Sequence, residues 1–167
     1  RDIDFVTIDG EDARDFDDAI YVEQTSAGYR LLVAIADVGH YVRQGSALDN
    51  EARLRGNSYY FPRSVEPMLP EALSNGLCSL RPDRPRLVMA ADMQFAPDGA
   101  FRDASFYQGV IKSKARLTYT QVQQALLLNQ PDAQKELAPL LPMLRQAETL
   151  ARAIAVLRTN RGSLDFD

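Results

Sequence analysis

The chain has 167 residues, which suits one domain. Its 46% hydrophobic and 25% charged residues can build a core and exclude a disordered acidic segment. No apolar run approaches the roughly 20 residues needed to span a bilayer, and the net charge of −4 opposes a broad basic surface for nucleic acid unless the acidic side chains gather on divalent cations.

The N-terminal residues are acidic and begin without Met, so no secretory leader is expected and the chain reads as part of something longer. Ile3, Phe5, Val6 and Ile8 predict a strand over 3–8. Two more follow over 19–24 and 29–36, joined by the turn-rich Thr25-Ser26-Ala27-Gly28. The unbroken apolar run 31–36 predicts a strand covered on both faces. Ser46 is a good N-cap, with Asp49 standing in for the Glu of a capping box, for a helix through Arg55. Pro62, Pro67 and Pro70 exclude long regular structure, and a short helix is expected over 70–77.

Residues 86–95 and 101–113 read as a hairpin around Pro97-Asp98-Gly99. Thr118 or Thr120 caps a helix through Leu128, and 129–132 read as a loop. A last long helix carries Leu137, Leu140, Leu141, Leu144, Ala147, Ala151, Ile154 and Leu157 on one core-facing stripe. Pro139 and Pro142 delay its start, Gly162 closes it, and 163–167 read as the start of a further strand. The mixture predicts an α+β (mixed α/β) domain.

Cys78 is the only cysteine, which rules out an internal disulfide and fits a reducing cytoplasm. Its apolar neighbours make it a core residue. The chemistry lies instead in residues 9–18, which hold six carboxylates in ten positions: Asp9, Glu11, Asp12, Asp15, Asp17 and Asp18. Such crowding between two strands needs counter-charge, from Arg14 and from divalent cations, or else full solvation as an ordinary acidic loop. Glu11 and Asp12 read as surface charges. Asp15 and Asp17 share a side of an extended segment, while Asp18 faces away unless the chain turns. Hard oxygen ligands from two stretches suit Mg²⁺, and two ions about 3.5–4 Å apart could clamp a phosphodiester. No register gives the Gly and Glu of an EF-hand. Asp37 and His40 read as a structural hydrogen bond rather than an acid–base pair. Arg81, Arg84 and Arg86 suit phosphate contacts or a solvated loop equally well.

The chain as a whole resembles the ribonuclease II / ribonuclease R (RNB) family, and within it the ribonuclease R branch. The resemblance is carried by Thr7-Ile8-Asp9 with Asp15-Phe16-Asp17-Asp18-Ala19, then by residues 33–38, Tyr41-Val42 and 45–49. It continues through 55–62, Pro67-Met68-Leu69-Pro70, 73–80 and 161–166. It implies an RNB-type domain with a central, mostly antiparallel sheet flanked by helices. It also implies a Mg²⁺-dependent enzyme, with Mn²⁺ as a substitute, that degrades single-stranded RNA processively from its 3′ end to nucleoside 5′-monophosphates. Asp9 and Asp18 then become direct metal ligands, Asp15 supports the cluster, and Asp17 holds a second ion or the attacking water. Tyr60 becomes the aromatic that stacks on a base.

Ala34 stands where many members have His, and others also have Ala. The larger departure is length. The family's catalytic domain is about twice as long, so residues 1–167 are expected to be its truncated N-terminal portion. The Arg-rich Ser-Pro-Ile-Arg-Arg segment, a second stacking aromatic, a late Glu and the flanking cold-shock and S1 domains have no counterpart here. A non-catalytic RNA-binding or scaffold module is the alternative expectation.

Overall fold

The computed structural model describes residues 3–62 and 64–163. The opening apolar segment pairs only over β1 (Val6–Asp9); before it, the Phe5 amide donates to the Ile3 carbonyl at 2.9 Å in a tight turn. β2 (Asp18–Thr25) and β3 (Gly28–Ala36) form the expected hairpin. Gly28 turns it with φ +137°, and an added Cβ would fall 2.1 Å from the Phe95 carbonyl oxygen, so no side chain fits there.

A single helical turn, α1 (Val38–Tyr41), precedes α2 (Ala47–Arg55). Ser46 Oγ accepts from the Asp49 amide at 3.2 Å, as expected. Asp49 reaches back to the Gly45 amide at 2.8 Å, one residue before the N-cap. β4 (Tyr59–Phe61) and β5 (Ser64–Glu66) pair as a separate two-stranded ribbon. The expected short helix over 70–77 is a π-helical turn, Ala72–Leu77, in which the Cys78 amide bonds the Leu73 carbonyl at 2.9 Å. The poor helix formers Ser74, Asn75 and Gly76 occupy this widened turn.

β6 (Pro85–Phe95) and β7 (Phe101–Lys112) form the long hairpin. β8 (Ala115–Thr118) runs directly into α3 (Tyr119–Leu126), and Thr118 is its cap, closing a full capping box with Gln121. Residues 129–132 are not all loop: Pro131 opens a short helix, α4 (Pro131–Glu136), a position where its missing N–H costs nothing. α5 (Leu141–Asn160) follows, with Pro142 in its first turn. Its buried stripe runs through Leu144 and Leu150, whereas Ala151 is exposed, one position off the expected register. Ser163 lies outside any strand, and the rest of the strand anticipated there lies outside the described residues.

The main sheet has the order β7-β6-β3-β2-β1-β8, antiparallel except for the β1–β8 pair. The mixed, mostly antiparallel sheet flanked by helices matches the expected class. On one face Phe5, Phe16, Ala19, Leu32, Ala34 and Val88 pack under Leu73, Cys78 and Leu80. On the other, Val6 and Leu117 meet Ala125, Leu137, Leu140 and Leu144, while Val22 meets Leu150. β3 is therefore covered on both faces only in part. Leu32, Ala34 and Ala36 are buried, but Ile35, on the helical face, is 46% exposed: the cluster around Leu150 of α5 takes in Leu31 and not Ile35. Pairing of β1 with β2 at Val6↔Ile20 brings the end of β1 beside the start of β2, which puts Asp9 and Asp18 at one end of the sheet.

Candidate metal centre and nucleic-acid interface

Residues 13–17 adopt no regular secondary structure, yet long-range hydrogen bonds fix their backbone. Ser79 Oγ accepts from the Phe16 amide at 3.1 Å and donates to the Arg14 carbonyl at 2.8 Å. The Leu80 amide donates to the Phe16 carbonyl, and the Ala36 amide to the Asp17 carbonyl, each at 2.8 Å. Phe16 buries its ring in the core between Asp15 and Asp17, so the acids on either side are held at the surface. On the other side of the loop, Arg116 of β8 donates through Nη2 to the Gly10 carbonyl at 2.6 Å and the Glu11 carbonyl at 2.7 Å. Its guanidinium carbon lies 5.4 Å from the Phe16 ring centroid.

Within this frame the four aspartates act on one another. Asp9 has its pKa raised, first by burial and next by the charge on Asp18, with Asp15 adding and Arg116 opposing. Asp17 is raised by desolvation and then by Asp15, Asp18 and Asp9. Asp9 Oδ2 is buried without a hydrogen-bond donor. The cation acting on Asp9 is Arg116, not Arg14, whose side chain is exposed. Among the described residues, no group of three or more His, Cys, Asp or Glu side chains converges closely enough to enclose a metal ion. The donor set nonetheless fits a hard divalent cation: the oxygens are all carboxylate, they repel one another, and one is buried and unpartnered. Glu11 stands apart, its pKa lowered chiefly by a hydrogen bond with the Thr120 side chain at the start of α3.

Tyr60 is 69% exposed on the β4–β5 ribbon and donates through its hydroxyl to Asp15 Oδ2 at 3.2 Å. The ribbon and the acidic loop enclose a groove of about 760 Å³, lined by Asp15, Arg14, Tyr60, Phe61, Ser74 and Asn75 among others. Of the four aspartates Asp15 alone lines it, so the groove sets an aromatic face against one edge of the acidic cluster, a combination suited to a nucleotide chain held beside cations.

A family model described as the RNB domain matches residues 1–167. The chain belongs to the RNB family. Ribonuclease R of Escherichia coli is 50% identical over 168 residues, which cover all of this chain and 20% of that protein. The RNB chain thus spans about a fifth of that relative's length. Mycoplasma genitalium RNase R in complex with double-stranded RNA matches with a TM-score of 0.90 at 38% identity, over 98% of this chain and 29% of that one. Yeast Ssd1, a pseudonuclease, shares the fold at a TM-score of 0.79 and 19% identity, over 95% of this chain and 18% of its own.

Other readings of the RNB sequence resolve simply. Asp37 caps α1 by accepting from the His40 amide at 3.2 Å, and it also accepts from Gln108 at 3.3 Å, a structural role. Arg86 donates to the Ser79 and Gly76 carbonyls at 2.8 and 3.0 Å, which braces the π-helical turn. Cys78 is buried with its thiol pKa pushed up, as befits a core residue. Sequence reading missed Ser79 and Arg116, because their partners lie 63 to 106 residues away. No helix among the described residues is long and apolar enough to cross a membrane.

Proposed function

We propose that residues 1–167 form the N-terminal portion of the catalytic domain of a Mg²⁺-dependent, processive 3′→5′ exoribonuclease. It hydrolyses single-stranded RNA to nucleoside 5′-monophosphates in the cytoplasm. The carrying observation is the coupled acidic cluster at the sheet end, with buried Asp9 Oδ2 lacking a donor, beside the aromatic groove. Family membership and the likeness to RNase R support the reading.

Asp9 and Asp18, from adjoining strands, would serve as direct ligands. Asp15 would support them through its place in the same pinned loop. Asp17, with its raised pKa, would hold a second cation or orient the attacking water. Divalent cations bound there, Mg²⁺ or Mn²⁺, supply neutralisation of phosphate charge and activation of water. The Tyr60 ring would stack on a base whatever its identity, which suits an enzyme that must accept every nucleotide in turn.

A second reading, a non-catalytic RNA-binding or scaffold module, is favoured for the chain by itself by the lack of a converged ligand group among the described residues. End-labelled single-stranded RNA with Mg²⁺ separates them. Release of monophosphates by the full-length protein supports the exoribonuclease. Binding without cleavage by that protein supports the module and overturns the first reading.

A further inference from the structure

We infer that Ser79 is a positioning residue for the acidic loop and sets its affinity for divalent metal through the backbone on either side of Asp15. The inference rests on the metal reading proposed above. Ser79 is fully buried, and its single hydroxyl uses both of its capacities on one short stretch of chain: it donates to the Arg14 carbonyl and accepts from the Phe16 amide. Those two groups flank Asp15. The next residue along, Leu80, fixes the Phe16 carbonyl. Arg86 in turn holds the Ser79 carbonyl at 2.8 Å, so the residue doing the gripping is itself held.

A loop that places like charges side by side relaxes by splaying them into solvent unless its backbone is restrained. Residues 13–17 have no regular secondary structure to restrain them; the Leu80 and Ala36 amides hold the Phe16 and Asp17 carbonyls, and Ser79, from the segment after the π-helical turn, supplies the restraint on either side of Asp15. Replacing Ser79 by Ala removes both hydrogen bonds at once and leaves the buried Phe16 amide and the part-buried Arg14 carbonyl without this partner. Groups that orient metal ligands from behind typically change metal affinity 10- to 100-fold when lost.

The test is a Mn²⁺ titration of the full-length protein followed by electron paramagnetic resonance, which needs no turnover. Four proteins are compared: wild type, Ser79→Ala, Asp18→Asn, and Leu150→Ala as a core truncation remote from the loop. Binding by wild type that is lost in Asp18→Asn, weakened about tenfold or more in Ser79→Ala and kept in Leu150→Ala supports the inference. Wild-type affinity in Ser79→Ala, or an equal loss in Leu150→Ala, overturns it while leaving the metal reading intact. No Mn²⁺ binding by wild type overturns the metal reading and the inference together. Should Ser79→Ala fail to fold, Ser79→Cys keeps the shape with a weakly bonding thiol. The same loss is then expected, and wild-type affinity is the overturning result.

Discussion

The Tyr60 hydroxyl donates to Asp15 Oδ2 at 3.2 Å, linking the exposed aromatic ribbon to the acidic loop across 45 residues of sequence. The charge on Asp15 pushes the phenol's pKa up, so it stays a neutral donor through the physiological range. Ring and hydroxyl therefore have separable roles. Tyr60→Ala removes the stacking face and is expected to weaken single-stranded RNA binding by about 1–3 kcal/mol. Tyr60→Phe keeps the face and should bind RNA like wild type in fluorescence anisotropy. Equal losses in both variants would show that the hydroxyl, not the ring, carries the effect.

In the proposed exoribonuclease, Asp17 serves the chemistry more than RNA binding. Its carboxylate is crowded by Asp15, Asp18 and Asp9, and neutralising it adds no unpaired buried charge. In the full-length protein Asp17→Asn is expected to abolish hydrolysis, a loss of at least roughly 100-fold, with RNA affinity largely spared. Single-turnover cleavage and equilibrium binding on one RNA check both halves.

Asp9 gives the fold a pH signature. Its folded pKa lies above the ordinary carboxylate value, so the fold holds this proton more tightly than the unfolded chain does. Its contribution to stability is favourable below about pH 4 and is lost as pH rises through the folded value. Without divalent metal, Asp9→Asn should raise Tm at pH 7, and the gain should vanish by about pH 3. Saturating Mg²⁺ should reverse the order, since binding then stabilises only the wild type. Thermal melts at the two pH values, with and without Mg²⁺, measure this.

Arg116 holds two loop carbonyls from one guanidinium nitrogen while lying near the Phe16 ring. Lysine retains the charge that lowers the Asp9 pKa but not the planar, stacking geometry. Arg116→Lys should cost about 1–3 kcal/mol in urea unfolding, and Arg116→Met should cost more, because Asp9 also loses its counter-charge. A Lys variant as stable as wild type would show that charge alone matters at this position.

Much of the fold was legible because its signals are local. The Ser46 cap, the turn before Gly28 and the long hairpin around Asp98 depend on residues adjacent in sequence. The π-helical turn and the shift of the α5 stripe from Ala151 to Leu150 were not legible, since tertiary packing selects between nearly equivalent helical registers. The exposure of Ile35 was hidden for a similar reason: an apolar run reports that a strand tolerates burial, not how far the covering helix extends. At the site, the run of carboxylates was plain from the sequence. Its restraints were not, because Ser79 and Arg116 carry no motif and meet the loop only after folding.

The proposed chemistry requires that these four aspartates together hold a divalent cation. Crystals of the full-length protein grown with Mn²⁺ and measured at the manganese absorption edge test it directly. An anomalous peak is expected among the carboxylates of Asp9, Asp15, Asp17 and Asp18, absent in Asp18→Asn. A well-ordered loop with no peak there at saturating Mn²⁺ would contradict it.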